Sequence, residues 1–174
     1  MSSGFDASSK LEQLLRLPAE NEVVEFKKAE SSKHFDDIGK YFSALCNEAN
    51  LKSVSNGWLV FGVNNRHEVT GTNFRPNRAS LDSLKHEIAT KTTSRITFVE
   101  IYEVHHSGRR VVMMEIPAAP KGTPIAFDGH YYGRDGESLG PLNPEEYDRI
   151  RSQSKIDDWS AVIVRVRRCL IWTK

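Results

Sequence analysis

The segment VVEFKKAE, residues 23–30, has the apolar content of a β-strand but carries charged side chains within it. Side chains alternate between the two faces of a strand, so Val24 and Phe26 share one face while Glu25 and Lys27 share the other. A carboxylate and an ammonium group in this arrangement could hold a metal ion and a phosphate, or they could form an ordinary solvated face. The strand itself leaves both interpretations open.

Helical periodicity predicts four helices around this strand. Their spans are 11–17, 33–50, 79–92 and 143–153. The second helix is the clearest, with one apolar stripe and an opposite polar face. That polar face is expected to carry Asp36, Asp37, Lys40 and Glu48.

Capping residues predict where the other helices begin. Ser8 or Ser9 is a candidate N-cap for the first helix, and Ser80 is the candidate for the third. The last helix should begin at Asn143, with Pro144 in its first position.

The remaining apolar segments predict strands. Residues 55–63 are almost continuously apolar, which is typical of a strand buried on both faces. Two hairpins are expected, with turns at Ser107-Gly108 and at Asp128-Gly129. The order of these elements predicts a single α/β or α+β domain, in which a mixed β-sheet packs with amphipathic helices.

The composition limits the classes of partner and compartment. The 174 residues carry a net charge of +1, so any site for a polyanion must be a local patch. Two cysteines, Cys46 and Cys169, suggest reduced thiols. No run approaches the roughly 20 apolar residues of a membrane span, and a cytoplasmic protein without a membrane partner is expected.

The predicted organisation is a flexible N-terminus over 1–7, the domain over 8–153 and a tail over 154–174. That tail is either the truncated continuation of a longer chain or a segment that packs on the domain or on a partner subunit.

Two groups of residues are candidates for chemistry. Glu25 and Lys27, with Glu20 nearby, have the residue types of a metal-dependent nuclease, in which carboxylates hold the cation and a lysine supports the attacking water or the phosphate charge. The glycines of residues 133–140 could let backbone amides approach a phosphate paired with Arg134, although a series of β-turns explains them equally well.

Several segments in order resemble the Schlafen-type AlbA-like domain. They are ENEVVEFKKAE, SALCNEAN, NGWLVFGVNN and VTG, followed by GRRVVMMEIPAAPKGTPI and HYYGRDGES. The likeness extends over about residues 8–153 and implies an AlbA-like fold that binds nucleic acid. In bacterial relatives this domain often stands at the N-terminus of proteins assigned as transcriptional regulators.

In some Schlafen proteins the acidic positions form a metal site that cuts transfer and ribosomal RNA. On this resemblance Glu20 and Glu25 match the first two acidic positions, and Lys27 matches the lysine. The third acidic position falls on the turn at Asn64 and Asn65. An amide oxygen supplies no charge, so weak affinity for Mg²⁺ or Mn²⁺ is expected.

Three functions follow as expectations. The first is a DNA- or RNA-binding domain rather than an enzyme, which needs no cofactor and works as a homodimer. Its expected phosphate contacts are basic side chains: Lys27, Lys28, Arg75, Arg78, Arg109, Arg110 and Arg134. The second is an endoribonuclease that uses Mg²⁺ or Mn²⁺ held by Glu20, Glu25 and Asn64. The third is a module for homo-oligomerisation or protein interaction.

Overall fold

The computed structural model describes residues 5–18, 21–29 and 35–153. Helices and strands follow one another there in the predicted order. They are α1 (Ala7–Leu15), β1 (Val24–Lys27), α2 (Phe35–Leu51), β2 (Asn56–Phe61), α3 (Arg78–Lys91), a 3₁₀ helix (Thr93–Arg95), β3 (Glu100–His106), β4 (Arg109–Pro117), β5 (Ala126–Phe127), β6 (His130–Asp135), β7 (Ser138–Pro141) and α4 (Pro144–Arg151). The predicted tail over 154–174 lies outside the described residues, and the domain boundaries at 8 and 153 stay predictions.

Two sheets form one α+β domain. The larger sheet has the strand order β1-β2-β4-β3. β1 pairs with β2 in parallel, with α2 as the crossover, whereas the β2–β4 and β3–β4 pairs are antiparallel. The smaller sheet has the order β5-β6-β7. The prediction of a mixed sheet packed with helices is confirmed.

β2 is buried on both faces, as its sequence predicts. On one face Trp58 and Val60 pack with Leu11 and Leu14 of α1. On the other face the core includes side chains of β2, α2 and α3, among them Leu59, Phe61, Phe42, Leu45, Leu84 and Ile88. The sheet therefore separates two apolar cores.

The beginnings of the helices agree only in part with the sequence prediction. Asp6, not Ser8 or Ser9, caps α1, since its carboxylate accepts a hydrogen bond from the Ser8 backbone N–H at 3.0 Å. The N-cap of α3 is Asn77, whereas Ser80 lies inside the helix. Asn143 caps α4 with Pro144 in the first turn, as predicted.

The predicted polar face of α2 is wrong at one position. Glu48 is 1% exposed, because β6 packs over this part of the helix. A Glu48 carboxylate oxygen accepts the Arg134 backbone N–H at 3.0 Å. Two positions before it, Cys46 is a buried free thiol.

Both predicted hairpin turns are present. Ser107 and Gly108 have φ of 52° and 74°, and Asp128 and Gly129 have φ of 49° and 79°. Positive φ at both central residues is the conformation that two-residue hairpins favour. Among the described helices the longest has 17 residues, and none combines the length and the apolar content needed to cross a bilayer.

Candidate nucleic-acid interface and the buried Glu25–Arg134 pair

Glu25 and Lys27 share the face of β1 that points towards α2. Glu25 is 2% exposed, so this pair is not an ordinary solvated face. One Glu25 oxygen lies 2.5 Å from Lys27 Nζ, and the other lies 2.5 Å from Arg134 Nη2. Two cations therefore contact one enclosed carboxylate, one at each oxygen.

Arg134 comes from β6 and is enclosed completely. The exposed fraction of its side chain is 0%. Besides Glu25, its guanidinium donates to the backbone oxygens of Asn21 at 2.8 Å and Val24 at 2.9 Å. Arg134 thus links the smaller sheet to the start of β1, and no phosphate reaches its guanidinium in this conformation.

Gly133 makes this close packing feasible. A Cβ there would lie 2.9 Å from Leu142 Cδ1 and 3.2 Å from a Glu48 oxygen. Gly136 has φ of 59° in the turn between β6 and β7. Gly136 is the one glycine of the segment that lies in a turn, whereas Gly133 lies within β6 and Gly140 within β7, so the predicted series of β-turns is correct only at Gly136.

Lys27 lies between Glu25 and the ring of Tyr41, with Nζ 4.9 Å from the ring centroid. Burial alone would lower the pKa of Lys27, but the hydrogen bonds to the Glu25 carboxylate and the Tyr41 hydroxyl outweigh it, so the pKa is raised. Lys27 therefore remains a cation, engaged with its own strand.

A second group of basic side chains gathers at one end of the larger sheet. The carboxyl ends of the parallel strands β1 and β2 meet there, beside the β3–β4 hairpin. Lys28 follows β1, Arg66 lies in the turn after β2, and Arg109 begins β4; all three are exposed. We call these three residues the basic end of the sheet.

Contacts between segments hold the basic end together. Arg109 donates to the Val69 carbonyl at 2.7 Å, which fixes it against the turn that carries Arg66. Lys28 and Arg66 line the same open depression of about 440 Å³. Arg109 lines a neighbouring depression of about 460 Å³ with His105 and the segment 70–73.

Gly62 permits this arrangement. It has φ of 95°, and a Cβ there would lie 3.0 Å from the Arg110 carbonyl oxygen and 3.1 Å from the Gly71 carbonyl carbon. Any side chain at this position would push the 70–73 segment away from β4. The close approach of the strand ends therefore depends on glycine.

The family model described as Schlafen, AlbA_2 matches residues 20–143. The chain belongs to the Schlafen AlbA_2 family. The DIP2311 protein from Corynebacterium diphtheriae has a similar structure, with a TM-score of 0.56 and 20% identity; the match covers 86% of this chain and 29% of that protein. The N-terminal domain of a RecG-related protein from Nitrosomonas europaea matches with a TM-score of 0.46 and 15% identity, over 80% of this chain and 93% of that one. No curated protein matches the chain.

The other predicted basic residues of this Schlafen AlbA_2 domain are engaged internally. Arg75 forms a two-pronged ion pair with Glu87, at 2.8 and 2.7 Å. Arg110 pairs with Glu103 at 2.9 Å and also donates to backbone carbonyls.

Arg78 lies away from the basic end, towards the start of β3. It pairs with Glu100 at 2.8 Å and donates to the Ile101 carbonyl. The structure thus brings Lys28 and Arg109 to one surface, and sequence reasoning missed Arg66. The signal for Arg66 was a basic residue at the tip of a polar turn, the same signal that selected Arg109.

The metal ligands implied by the Schlafen resemblance do not form a site in the described part of the chain. Glu20 lies outside it. The Asn64 side-chain oxygen accepts the backbone N–H groups of Arg66 at 2.9 Å and Glu68 at 3.0 Å, so it is used to close its own turn. With both Glu25 oxygens held by cations, neither described ligand offers an unengaged oxygen. Over residues 5–18, 21–29 and 35–153 no three His, Cys, Asp or Glu side chains are grouped to hold a metal ion.

Proposed function

We propose that this chain is a nucleic-acid-binding domain and that the basic end of the sheet contacts the phosphate backbone. The observation that carries the proposal is that Lys28, Arg66 and Arg109, on three separate segments, are all exposed at one end of the larger sheet, with Lys28 and Arg66 in one depression and Arg109 in another. Membership of the Schlafen AlbA_2 family supports the nucleic-acid class.

The geometry of this surface suits phosphate groups. Its cations stand on strand ends and a closed turn, so little side-chain and loop ordering is needed on binding. His105 and Asn73, both exposed in the same depression as Arg109, add hydrogen-bond donors for phosphate or sugar oxygens. Because the net charge of the chain is only +1, binding depends on this local surface.

The proposal also includes a setting within a transcriptional regulator, a cytoplasmic location and a homodimer. The family suggests the first, and the sequence suggests the others. The endoribonuclease alternative has no support from Glu25 or Asn64, whose oxygens are engaged.

Fluorescence anisotropy with a labelled duplex DNA and a labelled structured RNA tests the proposal. We expect saturable binding in EDTA that weakens steeply between about 50 and 200 mM salt. Replacing Arg66 or Arg109 by alanine should weaken binding to duplex DNA and reduce the slope of log K against log salt by about 0.9 each.

The matched control is Arg149→Ala. Arg149 is an exposed arginine on α4, and α4 packs near the end of α2 that precedes β2, away from the basic end. It should leave both affinity and slope unchanged. Wild-type affinity and slope in both Arg66→Ala and Arg109→Ala would remove the basic end as the binding surface.

A further inference from the structure

A pocket of about 380 Å³ opens at the other end of β2 from the basic end. α1 and the starts of β1 and β2 form its walls, and β4 contributes Glu115. Its apolar surface includes Phe5, Leu14, Val24 and Trp58. The pocket belongs to neither the basic end nor the Glu25–Arg134 pair.

Glu115 is the unusual residue of this pocket. It is 7% exposed and accepts hydrogen bonds from Asn56 Nδ2 at 2.6 Å and the Tyr102 hydroxyl at 2.9 Å. Among the residues that the structure describes, no lysine, arginine or histidine forms an ion pair with it. Glu25, the comparable buried carboxylate, has two cations. An enclosed carboxylate without a cation favours a positively charged ligand.

Tyr102 supports this assignment. Burial and then the hydrogen bond to the Glu115 carboxylate raise the pKa of Tyr102 to about 12, so its hydroxyl keeps its proton and donates to Glu115. Tyr102 and Asn56 therefore fix the orientation of the carboxylate and supply no positive charge.

The aromatic wall is suited to a cation as well. Phe5 stacks on Trp58 with ring centroids 6.0 Å apart and contacts Tyr102 at 4.6 Å. Lys10 also lines the pocket: its Nζ lies 5.3 Å from the centroid of the Trp58 ring and donates to Gln13 at 3.2 Å, so this cation of the pocket does not pair with Glu115. Phe5 and Val54, at the mouth of the pocket, are 51% and 40% exposed.

We propose that this pocket binds an arginine side chain presented by a partner peptide. The guanidinium pairs with Glu115, and its stem lies along Phe5, the exposed ring of the pocket. Arginine suits the pocket better than lysine, because a planar guanidinium makes two-pronged bonds to a carboxylate and stacks on aromatic rings. Exposed Phe5 and Val54 offer apolar contacts to neighbouring residues of a peptide, which a free cation cannot use.

Isothermal titration of the full chain with acetyl-Leu-Arg-Leu-amide tests the proposal. The control peptide has citrulline in place of arginine, which keeps the size and removes the charge. We expect the citrulline peptide to bind roughly tenfold more weakly or worse. Equal affinities, or no binding of the arginine peptide, would overturn the proposal.

Variants test whether the preference for the arginine peptide arises in this pocket. Glu115→Gln should abolish the preference for arginine over citrulline, whereas Glu12→Gln, which removes an exposed carboxylate of α1 outside the pocket, should preserve it. A preference retained in a folded Glu115→Gln protein would overturn the assignment. If that variant does not fold, Phe5→Ala at the exposed rim tests the same site, because it should weaken the arginine peptide.

Titration with agmatine tests whether the ligand is a peptide or a free guanidinium compound, because agmatine carries a guanidinium without a peptide. The proposal expects agmatine to bind more weakly than the tripeptide, since it cannot contact Phe5 and Val54. Equal affinity of agmatine and tripeptide would overturn the peptide as ligand.

Discussion

Glu25 and Arg134 form an ion pair that water does not reach. A buried pair adds little net stability. Removing Arg134 leaves Lys27 as the cation on the enclosed Glu25 carboxylate and takes the donor from its other oxygen, and a buried acceptor without a donor costs about 1–3 kcal/mol. Here the loss of Arg134 would also leave the Asn21 and Val24 carbonyls without their guanidinium donor. The two residues therefore contribute to the folding stability of the domain, whichever ligand it binds.

We predict that Arg134→Met lowers the free energy of unfolding by about 3 kcal/mol, because buried acceptors on Asn21, Val24 and Glu25 lose their donor. Urea denaturation followed by circular dichroism measures this as a lower midpoint. Arg149→Met, the same change on the exposed face of α4, should stay within about 0.5 kcal/mol of wild type. A midpoint for Arg134→Met equal to that of Arg149→Met would contradict the role given to the pair.

For helices and turns, the local sequence predicted an element correctly where a capping or turn residue marks its boundary. Asn143 with Pro144 predicted the start of α4, and Asp128-Gly129 predicted the turn between β5 and β6. The cap of α1 was not predictable in this way, because Asp6 and two serines are all good caps. Phe5 lies against Trp58, and this tertiary contact holds the chain just before Asp6.

The partners of the site could not be predicted for a related reason. Arg134 and Glu25 are 109 positions apart, and periodicity within a segment carries no information on such a pair. Glu48 was assigned to the polar face of α2 because helical spacing cannot show that β6 covers that face. Lys28 and Arg109 were selected because turns and strand ends are visible in the sequence, but their placement at one end of the sheet follows only from the strand order, and their contact with phosphate stays a prediction.

Glu48 gives α2 a pH-dependent contribution to stability. Burial raises the pKa of Glu48; the Arg134 N–H bond opposes this, and the charge of Glu146 adds to it. A carboxyl whose pKa is higher in the folded state than in the unfolded state costs stability as the pH rises through that interval. Below the unfolded value both states are protonated, and the cost is absent.

We therefore predict that Glu48→Gln is more favourable, relative to wild type, at pH 8 than at pH 4. The glutamine keeps an acceptor for the Arg134 N–H and cannot become charged. Thermal unfolding of both proteins at the two pH values measures the difference. Glu145→Gln, at an exposed position of α4, serves as the control and should show a smaller change between the two pH values. If the difference between Glu48→Gln and wild type is the same at both pH values, ionisation of Glu48 does not lower the stability of the folded state, and the prediction is wrong.

For the whole molecule, the basic end and the pocket lie at opposite ends of the sheet. The basic end carries Lys28, Arg66 and Arg109, whereas the pocket is lined by Glu115 and Lys10. Arg109 and Glu115 both lie on β4, six residues apart, which is about 20 Å along an antiparallel strand.

Because the two surfaces are this far apart, their ligands should bind independently. The Debye length at 0.1 M salt is about 10 Å, so charges about 20 Å apart interact only weakly through solvent. We predict that saturating acetyl-Leu-Arg-Leu-amide changes the Kd for nucleic acid by less than about twofold at that salt concentration.

Variants of each surface should show the same independence. Arg109→Ala should leave peptide affinity unchanged, and Glu115→Gln should leave nucleic-acid affinity unchanged. Anisotropy titrations with and without the peptide measure this, and the peptide added to labelled nucleic acid alone controls for direct association. Competition between the two ligands would mean that they share a surface, and the assignment of one ligand to each end of the sheet would then be wrong.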